Sequence, residues 1–292
     1  MQQPLSFLPK HKLRNINSNF ELIKKLILRS IRATFNNMSK LIRYSFIIIF
    51  IFAFSIQLVS AQSSFVSEKK ISFKVVSGLD AKEELLQKEF KAKGLEWPAR
   101  YIYIRSFKYD GQLEIWAKDN DKEKYKLFKT YRVCMQSGAL GPKRMQGDYQ
   151  VPEGFYYINE FNPNSAYHLS LGLNYPNTSD KILSDPLRPG NGIYIHGSCV
   201  SVGCIPVTDS DIEEIYLIAS AAKANGEEFI PVHIFPFRYK KKKSLEYFEN
   251  NTQDNAALQK FATQLKSAFD QFEATKELPI IMIDSNGDYV ID

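Results

Sequence analysis

Residues 191–211 read NGIYIHGSCVSVGCIPVTDSD and combine a short apolar run, a glycine-containing loop and a polar cluster that opens a helix. Residues 193–195 are β-prone and lead directly into His196, and Cys204 follows eight residues later. A thiol is a weak nucleophile until it loses its proton, and an adjacent imidazole is a common means of removing that proton. The pattern therefore favours a Cys/His acyl-transfer site.

The loop between the histidine and the cysteine supplies the rest of the predicted site. Gly197 and Gly203 leave the backbone free to fold the two side chains together. Close approach at Gly203 lets the N–H groups around Cys204 face a developing oxyanion. Ser201 is expected to position the loop, or the histidine, through its hydroxyl. No Asp or Asn is identifiable as a third member, and a backbone carbonyl can orient the imidazole instead.

A structural or metal-binding interpretation competes with this one. A single cysteine or histidine is more often a packed structural residue than a functional one. His196, Cys199 and Cys204 also form an H-x2-C-x4-C pattern, in which Cys134 or His233 would have to supply a fourth zinc ligand. That spacing fits poorly with the paired short loops of structural zinc sites. The sequence therefore predicts no metal and no cofactor.

The distribution of charge argues against a nucleic-acid partner. The chain has 292 residues, 44% of them apolar, and a formal net charge of +6. Residues 1–61 hold nine Lys or Arg and one acidic residue, which leaves 29 basic and 31 acidic residues in 62–292, a net charge of −2. The basic excess belongs to the N-terminal segment, so the remainder lacks the positive surface that phosphate binding requires.

That N-terminal segment has the pattern of a secretion signal. Residues 38–61 contain a basic stretch, an almost wholly apolar run at 46–59, and small residues before a plausible cleavage point between Ala61 and Gln62. A secretion signal normally begins near the initiating methionine, but 37 residues precede Met38. We therefore expect translation to start at Met38. The sequence predicts export to the periplasm or cell envelope, with membrane attachment only if the segment is uncleaved.

Export bears on the three cysteines. In an oxidising compartment two of them would pair and one would remain free. Cys134 and Cys199 are candidates for the pair, although all three thiols could also stay reduced. Cys199 is expected to be dispensable for the chemistry. A catalytic Cys204 is expected to have a low pKa and to react with a thiol probe well below pH 8.

Hydrophobic periodicity predicts a mainly β fold with flanking helices (α+β), built on a sandwich or barrel core. The domains are predicted at 1–61 (leader), 62–95 (linker and helix), 96–238 (catalytic domain) and 239–292 (basic run, helix and hairpin). The predicted strands are 101–107, 113–117 and 125–135 in a meander, one from Phe155, 167–171 carrying His168, 229–235, and a hairpin of 280–283 with 289–291. The predicted helices are 82–93, one capped by Thr208 and ended by Asn225-Gly226, and 255–272.

The order of strand, His-Gly, short loop and Ser-x-Gly-Cys resembles the signature of the L,D-transpeptidase (YkuD-like) catalytic domain family. The short loop and its continuation into Thr208-Asp209 are most similar to the murein L,D-transpeptidase subfamily called YafK. Two further blocks resemble the family, Gly-x-Lys-x-x-x-Gly-Asp within 137–158 and Tyr-Pro-Asn within 167–181. The resemblance implies an L,D-transpeptidase-like sandwich or barrel. The substrate-binding candidates that it gives are Lys143, Arg144, Asp148 and Tyr175.

The resemblance also implies a reaction on peptidoglycan stem peptides, at a bond from an L-centre to a D-residue. Cys204 would form a thioester, and His196 would take the thiol proton and return it to the leaving amine. The acceptor would be another stem, a protein amine or water. Val202 and Pro206 stand where the common family form has histidine and arginine, so hydrolysis of wall-linked peptides is as plausible as cross-linking. The alternative is a non-catalytic peptidoglycan-binding or structural envelope protein of the same fold.

Overall fold

The computed structural model describes residues 79–292 and, before them, only Lys25 and Arg29. The predicted signal segment at 38–61 therefore lies outside the described residues, and so does most of the linker after it. Within the described part, every helix is too short or too polar to cross a membrane.

Residues 79–292 form five helices and ten strands. The helices are α1 (Asp80–Ala92), α2 (Thr178–Leu183), α3 (Asp209–Ala224), α4 (Lys242–Thr252) and α5 (Ala256–Thr275). The strands are β1 (Tyr101–Phe107), β2 (Gln112–Lys118), β3 (Lys126–Arg132), β4 (Gly154–Asn162), β5 (Ser170–Leu173), β6 (Tyr194–His196), β7 (Ile205–Pro206), β8 (Pro231–Phe235), β9 (Ile281–Ile283) and β10 (Tyr289–Ile291).

Eight strands form one sheet in the order β3-β2-β1-β8-β4-β5-β6-β7, and β9 pairs with β10 in a separate hairpin. The predicted meander is confirmed, because β1, β2 and β3 pair antiparallel in sequence order. β8 lies between β1 and β4, parallel to the first and antiparallel to the second. The sheet curls into a half-barrel, which confirms the mainly β fold with flanking helices.

Helix α3 covers one face of the sheet. Ile212, Ile215 and Tyr216 are buried in the main apolar cluster together with Ile104 of β1 and Val232 of β8. Burial of each such side chain stabilises the fold by about 1.5–3 kcal/mol. The predicted start of this helix is confirmed, because the hydroxyl of Thr208 accepts a hydrogen bond from the Asp211 N–H at 3.1 Å.

The C-terminal helices pack on a second apolar cluster. Phe261, Leu265 and Phe269 of α5 are buried against Phe107 of β1 and Phe235 of β8. Side chains on both sides of the proposed boundary at residue 238 thus share one cluster. The division into 96–238 and 239–292 stays a prediction.

Two predicted strands are wrong in extent. The strand predicted at 167–171 begins only at Ser170, because His168 adopts a left-handed φ of 71° that interrupts an extended run. The strand predicted at 125–135 ends at Arg132, where the chain leaves the sheet edge. Helix α4 was not predicted, because it begins in the run of lysines and two of its three buried residues, Ser244 and Thr252, are polar.

Candidate active site

Two short strands at one end of the sheet bring His196 and Cys204 together. β6 ends at His196, and Cys204 immediately precedes β7. The two strands pair in parallel with Ile195 opposite Ile205. That register sets Tyr194 opposite Cys204, and side chains two residues apart on a strand share a face. The pairing therefore places Cys204, the residue before β7, next to the strand that ends at His196.

The geometry of His196 defines its tautomer. The side chain is buried, and its Nδ1 lies 2.6 Å from the carbonyl oxygen of Gly197. Because a carbonyl can only accept, Nδ1 carries the proton and Nε2 presents a lone pair. Burial lowers the pKa of His196, and the hydrogen bond to Gly197 partly opposes this effect. A backbone carbonyl thus orients the imidazole, as the sequence predicted.

An aromatic ring that sequence reasoning missed lies against the imidazole. Tyr167 packs on His196 with ring centroids 4.8 Å apart and an interplanar angle of 32°. The Tyr167 carbonyl accepts the Gly197 N–H at 3.1 Å. About half of Tyr167 is exposed to solvent. Tyr167 precedes His196 by 29 residues in the sequence, so no local pattern indicates the contact.

Cys204 carries a free thiol whose resting state differs from the prediction. Burial raises its pKa, while a backbone hydrogen bond from Tyr194 and the charge of Lys143 lower it by less. Burial thus acts against the low pKa expected of a catalytic thiol, and the reaction of Cys204 with a thiol probe well below pH 8 stays a prediction. Sγ also donates to the Gly192 carbonyl at 3.6 Å, and within residues 79–292 no hydrogen bond joins it to the imidazole. The resting pair is a neutral thiol beside a neutral imidazole.

A disulfide holds the loop between the two residues. Cys199 is bonded to Cys134, which resolves the alternatives that the sequence left open. The Cys134 N–H also donates to the Pro206 carbonyl at 2.9 Å, so the chain after β3 is tied to β7 as well as to the loop. The disulfide removes Cys199 from any ligand set with His196 and Cys204. Nowhere in the described chain do three or more His, Cys, Asp or Glu side chains cluster as metal ligands.

Ser201 and Gly203 fix the backbone immediately before Cys204. The Ser201 hydroxyl donates to the Cys204 carbonyl at 2.7 Å and accepts the Gly203 N–H at 3.0 Å. Gly203 has a φ of 143°, and a Cβ there would lie 3.1 Å from the Gln150 carbonyl. The loop-positioning contacts expected of Ser201 are present. The oxyanion role of the Gly203 N–H stays a prediction, and it would require this N–H to leave Ser201.

The four substrate-binding candidates make contacts within the protein. Lys143 is buried, and its ammonium donates to Asp148 at 2.5 Å and to the Met145 carbonyl at 2.9 Å. Asp148 also accepts the N–H groups of Arg144, Met145 and Gln150, which together with Lys143 hold its pKa below the usual range despite burial. Their substrate-binding role stays a prediction.

Tyr175 and Arg144 connect this loop to the rest of the fold. The Tyr175 hydroxyl donates to the Pro189 carbonyl at 2.8 Å. The Arg144 guanidinium lies 3.2 Å from Asp180 and lines a cavity of about 470 Å³. Neither His196 nor Cys204 lines that cavity.

Comparison with known proteins gives the class of this chain. The family model of the YkuD L,D-transpeptidase catalytic domain matches residues 108–234. The protein called "Putative L,D-transpeptidase YafK" in Escherichia coli K12 is 33% identical over 223 residues, which cover 76% of this chain and 85% of that relative. Its counterpart in E. coli O157:H7 matches equally well. The chain belongs to the L,D-transpeptidase family, and its activity is of the transpeptidase type.

Solved structures of low sequence identity also match. The helical cell shape determining protein Pgp2 from Campylobacter jejuni is 21% identical, with a TM-score of 0.38 over 63% of this chain and 73% of that one. Bd1075 from Bdellovibrio bacteriovorus is 18% identical, with a TM-score of 0.36 over 64% of this chain and 78% of that one.

Proposed function

We propose that the protein is an exported cysteine acyl-transfer enzyme that acts on peptidoglycan stem peptides. Cys204 is the nucleophile and His196 is the base. The observation that carries the proposal is the pairing of β6 with β7, which places a free cysteine next to the strand that ends in His196, whose Nδ1 is bonded to the Gly197 carbonyl so that Nε2 is available as a base. Membership of the L,D-transpeptidase family supplies the substrate class.

The reaction begins from the neutral pair. As the Cys204 sulfur attacks the scissile carbonyl, its proton passes to Nε2 of His196. The tetrahedral intermediate collapses to a thioester, the C–N bond breaks, and the imidazolium returns the proton to the leaving amine. An amine or water then attacks the thioester, gives up a proton to the same imidazole, and releases the thiol.

A raised thiol pKa is compatible with this route. A cysteine that is protonated at rest needs a base during attack, and a histidine that burial keeps neutral is available as that base. The thiol must turn from the Gly192 carbonyl towards Nε2, and catalytic hydrogen bonds are often made only when substrate is bound. We therefore expect the hydrogen bond between Cys204 Sγ and His196 Nε2 to form when substrate binds.

Hydrolysis of wall-linked peptides is proposed alongside cross-linking. Val202 and Pro206 occupy positions where the common family form has histidine and arginine, so the site lacks two cations that could hold a substrate carboxylate. Lys143, Arg144, Asp148 and Tyr175 remain the proposed binding residues. The acceptor is a second stem, a protein amine or water.

Digestion of purified sacculi tests the proposal. The purified protein should release or cross-link muropeptides that mass spectrometry identifies, and Cys204→Ala should abolish turnover without unfolding the protein. His196→Ala should slow turnover by about 10² or more through loss of the base. His168→Ala is the matched control, because this histidine is exposed and its Nε2 contacts Glu213 at 2.8 Å.

A non-catalytic wall-binding protein is the competing function, and the absence of a Cys/His hydrogen bond in the described residues favours it. Sacculi that bind the protein but remain chemically unchanged would support that alternative. Full activity in Cys204→Ala would instead rule out the covalent mechanism.

Export is tested separately. The mature chain should begin at or near Gln62, as read by N-terminal sequencing of protein from the envelope fraction. An intact 46–59 segment in a membrane pellet would indicate an anchored enzyme. Cytosolic protein that retains the whole leader would contradict a peptidoglycan substrate.

A further inference from the structure

One peptide unit lies between His196 and a carboxylate. The carbonyl of the Gly197–Ser198 peptide accepts the proton of His196 Nδ1 at 2.6 Å. The N–H of the same peptide, which belongs to Ser198, donates to Oδ1 of Asp209 at 2.7 Å. The imidazole and the carboxylate are thus hydrogen-bonded to opposite ends of one planar group.

A peptide in this position transmits polarity. The C=O and N–H of a trans peptide point in opposite directions in one plane. A negative charge that accepts from the N–H polarises the peptide and makes its carbonyl oxygen a better acceptor, and chains of hydrogen bonds strengthen one another in this way. Bonds in which one partner is ionised are about twice as strong as neutral ones. The carboxylate therefore strengthens the bond that holds the imidazole.

The surrounding backbone is built around this arrangement. Asp209 is the first residue of α3, and the Thr208 cap fixes the start of this 16-residue helix. A Cβ at Gly197 would lie 2.6 Å from Asp209 Oδ1 and 3.0 Å from the Tyr167 carbonyl, so only glycine fits. Ser198 takes a left-handed φ of 64°, which costs on the order of 1 kcal/mol for a residue with a side chain. The hydrogen bond to Asp209 offsets that cost.

We propose that Asp209 is the third member of the acyl-transfer site, a positioning residue that acts on His196 through the Gly197–Ser198 peptide. The inference rests on the proposed function of Cys204 and His196 and adds the residue that the sequence could not supply. No proton moves to Asp209. Its charge stabilises the imidazolium that forms when the thiol proton reaches Nε2, and its hydrogen bond keeps the ring in the Nδ1–H tautomer.

Other ionisable groups lie around the same peptide. The Tyr167 ring packs on the imidazole, and the charge of Lys143 acts to lower the pKa of Cys204. His168 is bonded to Glu213 of α3, which also pairs with Lys82 of α1 at 2.7 Å. Of these groups, none is hydrogen-bonded to the Gly197–Ser198 peptide, so Asp209 can be tested on its own.

The test compares Asp209→Asn with Asp211→Asn in the full-length protein. Both substitutions remove one charge from the first turn of α3, but only Asp209 contacts the peptide. The pKa of His196 is measured by NMR of histidine-labelled protein, and turnover of sacculi is measured against pH. Asp209→Asn should lower the His196 pKa by about half a unit or more, because a nearby negative charge favours imidazolium.

Turnover gives a second readout. Plateau activity in Asp209→Asn should fall about tenfold, and the acid limb of the pH profile should shift to lower pH. Simple loss of structure does not produce this combination. Asp209→Glu, which keeps the carboxylate, should recover most of both values. Unchanged His196 pKa and turnover in Asp209→Asn would overturn the proposal.

Equal shifts in Asp209→Asn and Asp211→Asn would also overturn it, because the effect would then belong to the helix end in general. The NMR measurement needs no substrate. A wild-type protein that leaves sacculi intact would refute the proposed function, whereas an Asp209→Asn variant with an unaltered His196 pKa would refute this inference alone.

Discussion

One cause shifts the pKa values of the two proposed catalytic side chains in opposite directions. Burial disfavours charge, so it raises the pKa of the Cys204 thiol and lowers that of the His196 imidazole. Both shifts favour a proton on the sulfur rather than on the imidazole. Such a thiol is protected from chance oxidation, because susceptibility follows thiolate character and exposure. Reactivity then depends on how well the imidazole is held.

Tyr167→Ala should raise the pKa of His196, because removal of the ring that packs 4.8 Å away exposes the imidazole to water. The acid limb of the pH profile for turnover should shift to higher pH, opposite to the shift expected for Asp209→Asn. NMR titration of labelled histidine measures the pKa directly. Tyr167→Phe should behave as wild type, since the ring and not the hydroxyl makes the contact.

Tyr247→Ala is the control for the tyrosine variant. Tyr247 is similarly exposed, and it stacks on Tyr109 with centroids 4.1 Å apart, a contact that does not involve the candidate site. An unchanged His196 pKa in Tyr167→Ala would mean that Tyr167 does not shield the ring.

At the scale of single elements, local patterns predicted what local forces determine. The Thr208 cap and Asn225-Gly226 define α3 through neighbouring backbone groups, and both ends were predicted. β7 has two residues and β6 has three, too few for any periodicity, so their pairing could not be predicted. His168 shows the opposite error. It lies in an alternating apolar pattern, but the chain takes a left-handed φ of 71° there. The distant contacts at this point are the Tyr167 carbonyl with the Gly197 N–H and His168 Nε2 with Glu213.

The Cys134–Cys199 disulfide closes a loop with a sequence separation of 65. The double variant Cys134→Ser/Cys199→Ser should lose about 2–5 kcal/mol of unfolding free energy, because the cross-link restricts the unfolded chain. Urea denaturation checks this. Cys204→Ser is the control, since it removes a thiol without removing the cross-link. Turnover of the folded double variant should be largely retained, and complete loss would show that the disulfide also fixes the catalytic loop.

At the scale of the whole molecule, buried ionic contacts join segments far apart in sequence. Arg105 of β1 pairs with Glu114 of β2 and contacts Glu273 of α5 at 2.7 Å. Glu114 also accepts from Arg238, which lies just before a run of four lysines in the sequence. Composition and periodicity predict the elements themselves, but they do not predict which charges meet when distant segments pack. The mainly β fold was therefore predictable, and its ionic network was not.

His233 makes the stability of the whole fold depend on pH. Its ring is buried, Nδ1 lies 3.0 Å from the Tyr103 hydroxyl, and burial with the nearby charge of Arg105 lowers its pKa to about 3. In the unfolded chain a histidine titrates near 6.5. Between these values the unfolded state binds more protons, so stability is full above about pH 6.5 and falls as the pH falls. The loss amounts to about 2 kcal/mol between pH 6.5 and 5.

Two buried carboxyls act in the opposite direction, because burial raises the pKa of Glu227 to about 8 and that of Asp180 to about 6. Their contribution to stability is lost as the pH rises through those values. The pH dependence of the wild-type protein is thus a sum, and a substitution isolates one part of it.

His233→Gln should lose less stability than wild type between pH 7 and pH 5, as measured by urea unfolding at the two pH values. The exposed His168→Gln variant should keep the wild-type difference, and an equal difference in His233→Gln would show that His233 is not the acid-sensitive group.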